Sequence, residues 1–570
     1  MKRAVLLLLI LVMLLSGCET STPSESVQTR AEDEEETTNI ETDIGCEEQP
    51  TVLTVYVIGT PVYSRIEGKE VTYHITDYSI GPFGPLTNAP QDYGHMYYES
   101  FENFEKETGI QLNVSFFQNM DQMELYMLDD RIEDNDPDII ISNYRGSGTA
   151  AEHDNIYRLI YNGWFADMMP HMTVDEIYDG GEYYNEVLQA GILEGKQYIL
   201  PLCFNMNALF TSTEDMQEAG VVVENGMESE QLLEQIRQAC AMAGPGELVI
   251  DSLSLWSVST AFVQDYWEST GLPVVNYETG EATIDREVFE DVAACFKEYM
   301  SMNVVGDWNT AAKDTRQYLN NHDWSAYISP GRIETLDENM NGFFKWTESG
   351  LEKMEQSTFF YENGTRIAEA HSLFGQCAVL NSLYTDLEEE MVMVSVPMYG
   401  SEQYMAQVQW FGGVLAESEY PYHSYQLLKY LLDQEYDPYY VIPVKKTNAE
   451  AVLEELGSTV YTIPLWLGAS WHYDEDFSDP AEVYDIQPLP ENVIEQLQYM
   501  LDHIGGAVLP QASAYNPILW HMEAYAFDIE TLDQAYEGAC EDMEEYAKYI
   551  MAGDSQMSFK GDSYPYSAIE

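Results

Sequence analysis

A chain of 570 residues with 45% hydrophobic and 13% aromatic content is too long for one core and amply equipped to build two. Its 24 basic against 99 acidic residues leave a formal net charge of -75 at pH 7, a field that repels phosphate backbones and anionic lipid headgroups. Nucleic acid and a basic membrane patch are therefore excluded as partners, and the acidity reads as a solvated surface rather than a cation site.

At the N-terminus, Lys2 and Arg3 precede an unbroken apolar run from Ala4 to Leu15. The run is shorter than the roughly 20 residues a membrane-spanning helix needs, which marks it as a secretion signal. Leu15-Ser16-Gly17-Cys18 resembles a lipobox, and the resemblance implies cleavage before Cys18 and attachment of a diacylglycerol to its sulfur. Residues 1–17 are thus expected to be a lipoprotein signal peptide, and residues 18–50 a disordered acidic tether. Glu19 to Pro50 is rich in Ser, Thr and Glu, includes Glu32-Asp33-Glu34-Glu35-Glu36, and cannot bury enough apolar surface to fold. As a coil, its about 32 residues span on the order of 30 Å. Of the seven cysteines, the six besides Cys18 (Cys46, Cys203, Cys240, Cys295, Cys377 and Cys540) are irregularly spaced with no C-x-x-C, so neither a zinc framework nor a redox motif is indicated.

Val52 to Ile58 reads as the first strand, followed by the loop Gly59-Thr60-Pro61 and by an insertion, 62–93, whose role the residues do not reveal. Tyr97, Phe101 and Phe104 recur at helical spacing, and Thr108-Gly109 supplies a left-handed stop. Ile110, Leu112, Val114 and Phe116 alternate with Gln111, Asn113 and Ser115, the period of a strand with one buried face. Met120, Met123 and Met127 return to helical spacing until Asp134-Asn135-Asp136-Pro137 breaks the pattern, and Ile139-Ile140-Ile141 follows as a wholly apolar strand ending in Ser142, Asn143, Tyr144 and Arg145. The order β-α-β-α-β predicts a parallel sheet, whose ligands bind beyond the carboxyl ends of its strands. Farther on, Leu232, Leu233, Ile236 and Ala243 form a helical stripe, and Leu248 to Ile250 a strand. Asp285 caps a helix that buries Val288, Phe289, Val292, Phe296 and Tyr299. Val392 to Val396 is strand-like and Tyr425 to Leu432 helical. Thr531-x-x-Gln534 is a capping box ahead of Leu532, Ala535, Tyr536, Ala539, Met543 and Tyr546.

Four motifs occur in fixed order: Phe-x-x-Glu-x-x-x-Gly-Ile at Phe101 to Ile110, Pro-Asp-Ile-Ile at Pro137 to Ile140, Gly-Trp-Phe-Ala-Asp at Gly163 to Asp167, and Gly-Lys-x-Tyr-x-x-Pro at Gly195 to Pro201. Together they resemble the extracellular solute-binding proteins of ABC importers, in particular the maltose-type, carbohydrate-binding branch. The resemblance implies an α/β, two-lobe, periplasmic-binding-protein-like fold, each lobe a mainly parallel sheet flanked by helices, with the ligand cleft between lobes. It places lobe 1 at 51–204, lobe 2 at 205–400, a return to lobe 1 at 401–455, and C-terminal helices mainly on lobe 2 at 456–553. Trp410 to Ala416 resembles the strand that re-enters the first lobe. The pattern departs from the family at Asn320-Asn321, where relatives usually carry Gly-Lys.

Carried over by position, the resemblance implies ligand contacts at Gly59 and Thr60 after the first strand, at Asn143, Tyr144 and Arg145 after the third, and at Asn205 near a hinge. Trp520 matches a position that stacks on sugar, since a pyranose has an apolar C–H face and a rim of hydroxyls. Trp410 precedes Gly412-Gly413, which would let backbone approach the cleft closely. Trp256 and Trp324 are weaker candidates. Catalysis is the minority reading: no carboxylate pair stands out, and H-E-x-x-H, a P-loop and G-x-S-x-G are absent. His521-Met522-Glu523 reads as helix surface rather than a metal pair. The expectation is a monomer anchored through Cys18 to the outer face of the cytoplasmic membrane, without cofactor or metal, handing a neutral carbohydrate, an oligosaccharide, to ABC permease subunits. The alternatives are a surface glycosidase, a sugar-sensing accessory protein, or a binding protein for a non-sugar solute.

Overall fold

The computed structural model describes residues 49–58, 72–73, 94–117, 123, 127, 136–143, 156–242, 250–251, 275–276, 279–303, 344–347, 350–353, 360–362, 373–398, 401–434, 441–464, 483–509, 518, 521–522, 524–526 and 528–552, in places by backbone alone. Cys18 and the tether as far as residue 48 fall outside the described residues.

Val52–Ile58 (β1) lies in the middle of the larger sheet. Leu53, Val55 and Val57 are fully buried, and so are Tyr56 and Ile58, so past Thr54 the strand is covered on both faces, as parallel strands under helices are. After the short strand Thr72–Tyr73 (β2), the helix Gly94–Thr108 (α1) leads to Gln111–Phe117 (β3), and Ile139–Asn143 (β4) follows. Both β3 and β4 pair with β1 in parallel, the order the periodicities predict. Helix α1 buries Phe101 and Phe104 and stops where Gly109 takes a φ of 77° and donates its N–H to Glu105 O. The simple alternation expected for β3 breaks at its end. Ser115 is buried, and β2 pairs alongside it with Thr72 opposite Ser115, so a strand from the inserted segment covers what would have been an open edge. Asp138 then ties the start of β4 to its neighbours: its carboxylate accepts from Thr54 N–H at 2.8 Å and from Ser418 Oγ at 2.6 Å.

The chain crosses to a second sheet within one residue. Leu200–Met206 (β5) belongs to the first sheet, and after Asn207 alone Ala208–Ser212 (β6) begins in the second, every residue of both strands being buried. The second sheet is completed by Ile250–Asp251 (β7), Phe360–Glu362 (β8) and Met391–Ser395 (β9), in the order β9-β6-β8-β7. The return strand Tyr404–Val414 (β10) re-enters the first sheet as expected, and Ile442–Pro443 (β11) and Ile504–Val508 (β12) join it, giving β11-β5-β10-β4-β1-β3-β2 with β12 also on β10. In each sheet the strand that arrives from the other is reversed. Strand β6 is antiparallel to β8 and β9, and β10 is antiparallel to β4 and β5. A strand that leaves one sheet at its carboxyl edge and enters reversed enters at the other sheet's carboxyl edge, so the two crossings bring those edges face to face.

Two apolar cores accompany the sheets. In the first, the helix Leu373–Asp386 (α2) is buried at every residue from Leu373 to Tyr384, the mark of a helix packed on all sides. Pro421–Leu432 (α3) covers β10 and β5, and Glu491–Asp502 (α4) adds Val493, Leu497, Met500 and Leu501. The second core gathers Phe289 and Val292 of the helix Arg286–Asn303, capped by Asp285 Oδ1 accepting from Val288 N–H at 3.0 Å. It also takes Ala535, Ala539, Met543 and Tyr546 of the closing helix Leu532–Ala552 (α5). The predicted capping box is present: Thr531 N–H donates to Gln534 Oε1 at 2.9 Å and Gln534 N–H to Thr531 Oγ1 at 3.3 Å. Segment 456–553 is thus shared between the cores, with α4 and β12 on the first and α5 on the second.

Gly413 lies where β10 meets the Phe165 ring. A Cβ there would stand 2.5 Å from Phe165 Cδ1 and 3.0 Å from Tyr198 O, whereas at Gly506 the nearest atom is Met405 Sδ at 3.7 Å. Chemical denaturation is expected to show Gly413→Ala destabilised by about 2 kcal/mol, since neither ring nor carbonyl can withdraw, and Gly506→Ala within about 0.5 kcal/mol of the parent.

Candidate functional site

The carboxyl edge of the first sheet is the candidate site, and its described floor can be built strand by strand. Ile58 of β1 is in register with Ser142 of β4, so the two strands end side by side. Strand β5 runs in the same direction, because both it and β4 are antiparallel to β10, and its end at Asn205 and Met206 reaches the same edge. Gly59, Thr60, Tyr144 and Arg145 follow these ends in sequence but lie outside the described residues, as does Trp520. Of Asn143, the backbone is described: it ends β4 opposite Trp410.

Asn205 is 4% exposed, and its Oδ1 accepts from Leu373 N–H at 2.7 Å. That N–H opens α2, where the helix offers its own donors no acceptor, so the amide joins the first crossover to the helix that precedes β9.

Trp410 and the two glycines require a correction. The ring is 1% exposed and belongs to the first core, so it presents no face to a sugar. Gly412 faces the Leu428 side chain of α3 and Gly413 faces Phe165, so the missing Cβ atoms admit a helix and a ring of the protein itself, not a ligand. An aromatic residue beside Gly-Gly reads the same in either case, because sequence does not say which partner comes close.

Gln409 was not singled out from sequence. The register of β10 on β5 is irregular around Trp410: Val408 stands opposite Phe204, Trp410 opposite Cys203 and Phe411 opposite Pro201, so Gln409 of β10 and Leu202 of β5 are both left without a register partner while the register on either side is the same. On the other side of β10, β4 ends with Asn143 opposite Trp410, and β12 ends with Val508 opposite Gln407. Strand β4 is antiparallel to β10 and β12 parallel to it, so their carboxyl ends approach head-on and stop with Val408 and Gln409 between them. In Gln407-Val408-Gln409-Trp410 the plain polar–apolar alternation hides this break in pairing; only the partner strands reveal it.

His521 overturns the surface reading of its segment. It is 5% exposed, and Ile518 and Met522 beside it are fully buried in the second core. Its Nδ1 lies 2.8 Å from Glu530 Oε2 and its Nε2 3.2 Å from Asp542 Oδ2, so both ring nitrogens face carboxylates. Gly538 of α5 leaves the room in which the imidazole sits. Burial works to lower the pKa of the ring, but hydrogen bonds to Asp542 and Glu530 and the charge of both outweigh it, raising it from 6.5 to about 9. His521 is therefore an imidazolium at neutral pH, a buried cation stapling its own segment to the closing helix. Among the described residues no group of three or more His, Cys, Asp or Glu side chains is arranged to hold a metal ion.

No family model matches the chain, and no curated protein matches it in sequence. Solved structures do. A periplasmic oligogalacturonide binding protein from Yersinia enterocolitica is similar at 12% identity and a TM-score of 0.50, over 88% of this chain and 100% of that one. The cyclic alpha-maltosyl-1,6-maltose binding protein from Arthrobacter globiformis gives 12%, 0.50, 88% and 100% in the same terms. A de novo designed cysteine esterase gives 12%, 0.50, 89% and 100%. At such identity the likeness shows the fold: a two-lobe arrangement of the periplasmic-binding-protein kind, with a mixed α/β sheet in each lobe.

The histidine staple yields a signed pH dependence. A raised folded-state pKa contributes stability that is complete below about 6.5 while the carboxylates stay ionised, and is lost as pH rises through about 9. Unfolding free energy of the parent is expected to fall between pH 7 and pH 9.5 and that of His521→Leu to stay flatter over the same interval. At pH 7 the variant is expected to lose about 2 kcal/mol, less than a fully buried pair costs because both carboxylates keep contact with water.

Proposed function

We propose that the chain is the substrate-binding component of an ABC importer, held at the outer face of the cytoplasmic membrane by a lipid on Cys18, and that it captures a neutral oligosaccharide. The observation that carries this reading is the pair of crossing strands, which turns the carboxyl edges of two sheets toward one another as a closable cleft requires. Fold neighbours whose names record an oligogalacturonide and a cyclic maltosyl-maltose support a carbohydrate ligand. Between those two chemistries, the net charge of -75 favours the uncharged one, because a polyanion would meet repulsion during approach. Gly59, Thr60, Asn143, Tyr144 and Arg145 are the proposed polar contacts and Trp520 the proposed stacking platform. Closure on the ligand presents a surface that permease subunits bind, the chain acting as a monomer.

Binding is preferred to catalysis, although the same fold carries a designed esterase and fold alone does not decide function. Among the described residues, the thiols are poorly suited to nucleophilic attack: Cys203 and Cys377 are buried, burial drives the Cys377 thiol far above its ordinary value, and burial also raises half-exposed Cys540. No described helix is long and apolar enough to cross a membrane, so membrane attachment in this reading rests on the lipid.

In a thermal-shift panel of neutral oligosaccharides, oligogalacturonides, peptides and polyamines, a neutral oligosaccharide is expected to raise the melting temperature most; a response confined to peptides or polyamines would refute the carbohydrate assignment. Trp520→Ala is expected to weaken binding of that sugar by about 1–3 kcal/mol while the unliganded melting temperature holds, the pattern of a lost stacking surface rather than a core cavity. Cys18→Ala is expected to move the protein from the membrane fraction to the soluble fraction of cells.

A further inference from the structure

We propose that Gln409 is a ligand-binding residue on the floor of the cleft, its side-chain amide reserved for the hydroxyl groups of the bound saccharide. The proposal rests on the carbohydrate reading for its ligand class, and on geometry for its place. Gln409 has no register partner on β5, where the pairing of β10 is irregular between Val408 and Phe411. It sits in the one stretch of β10 that neither β4 nor β12 pairs, where those strands end head-on. The chain that leaves β4 there runs directly into Tyr144 and Arg145, and the chain that leaves β12 runs through Leu509 toward Trp520. Two of the proposed binding segments thus follow, in sequence, the strands that end beside Gln409.

The side chain itself supplies a second observation. Gln409 is 7% exposed, and among the described residues no hydrogen-bond partner reaches its amide. An amide with no described partner and some surface still accessible is open to an incoming group. By contrast, Asn205 on the neighbouring strand is committed to Leu373. An amide both donates and accepts, which suits a sugar hydroxyl or two adjacent ones, and it carries no charge to repel or attract an ion.

The test compares the parent with Gln409→Leu, which keeps approximate volume and removes only the polar atoms. The probes are maltotriose, raffinose and cellotriose, with a tripeptide and spermidine beside them; the readouts are unliganded melting temperature and dissociation constants by calorimetry. The expected result is an unliganded melting temperature equal to or above that of the parent, and at least a tenfold weaker dissociation constant for whichever saccharide the parent binds. A dissociation constant that does not change overturns the proposal. So does a fall in unliganded melting temperature of more than about 5 °C, the size expected if the amide serves the fold, and this holds whether or not any sugar binds. If the parent binds only the peptide or the polyamine and Gln409→Leu loses that binding, the contact stands and the carbohydrate reading falls.

Discussion

The single residue between β5 and β6 is the constraint on which the architecture depends. Met206 and Ala208 are fully buried on either side of Asn207, so the chain passes from one sheet to the other inside the protein rather than over its surface. A buried passage is tolerable only if the backbone groups on both sides are paired, and the ladders provide this: Met206 opposite Ala406 in the first sheet, Ala208 opposite Ser395 in the second. With no loop to turn the chain round, the entering strand must run against its new neighbours. The second crossing, from β9 into β10, passes through residues 396–403 and ends in the same reversal, β10 running antiparallel to β4 and β5. Carboxyl edges therefore meet carboxyl edges, and β1 and β4, which lead in sequence into the proposed contacts Gly59, Thr60, Tyr144 and Arg145, end at that boundary.

Much of this was legible locally. The burial of Phe101 and Phe104, the stop at Gly109, the cap at Asp285 and the box of Thr531 and Gln534 each depend on residues within four positions of one another, and each was read from spacing. What sequence could not show depends on partners far along the chain. Ser115 is buried beside a two-residue strand lying in an insertion that had no assigned role. His521 was read as surface because its carboxylates stand 9 and 21 residues away and its cavity is a glycine of another helix. The candidate site divides the same way: the strand ends are where the β-α-β pattern puts them, while the burial of Trp410 and the unpaired place of Gln409 depend on partner strands, which no spacing encodes.

The sparse cations are used at long range. Lys429 reaches Asp175 at 2.9 Å across 254 residues, Lys297 reaches Asp528 at 2.5 Å across 231, and Arg286 pairs with Asp533 across 247. Partly exposed pairs of this kind contribute little singly. In a chain with a net charge of -75, however, each also removes a local repulsion between acidic segments that the fold brings together. The buried imidazolium of His521 is the same device in a drier place, where two carboxylates converge on the segment before the closing helix. Added salt acts oppositely on the two consequences, weakening the pairs and screening the surrounding repulsion.

The electrostatics of the surface and of the cleft floor bear on one another. The buried polar side chains described along the carboxyl edge of the first sheet, Ser142, Asn205 and Gln409, are all uncharged. An anion arriving there must first pass an acidic exterior, and of the proposed contacts only Arg145 carries a charge that would draw it in. Discrimination at such a floor comes from matching donors and acceptors, because a buried amide left unpaired by the wrong solute costs more than a missing apolar contact. Hydroxyl groups satisfy an amide in either sense, as donor or acceptor, and a solute that carries many of them can fill several such positions at once without bringing a charge into the cleft.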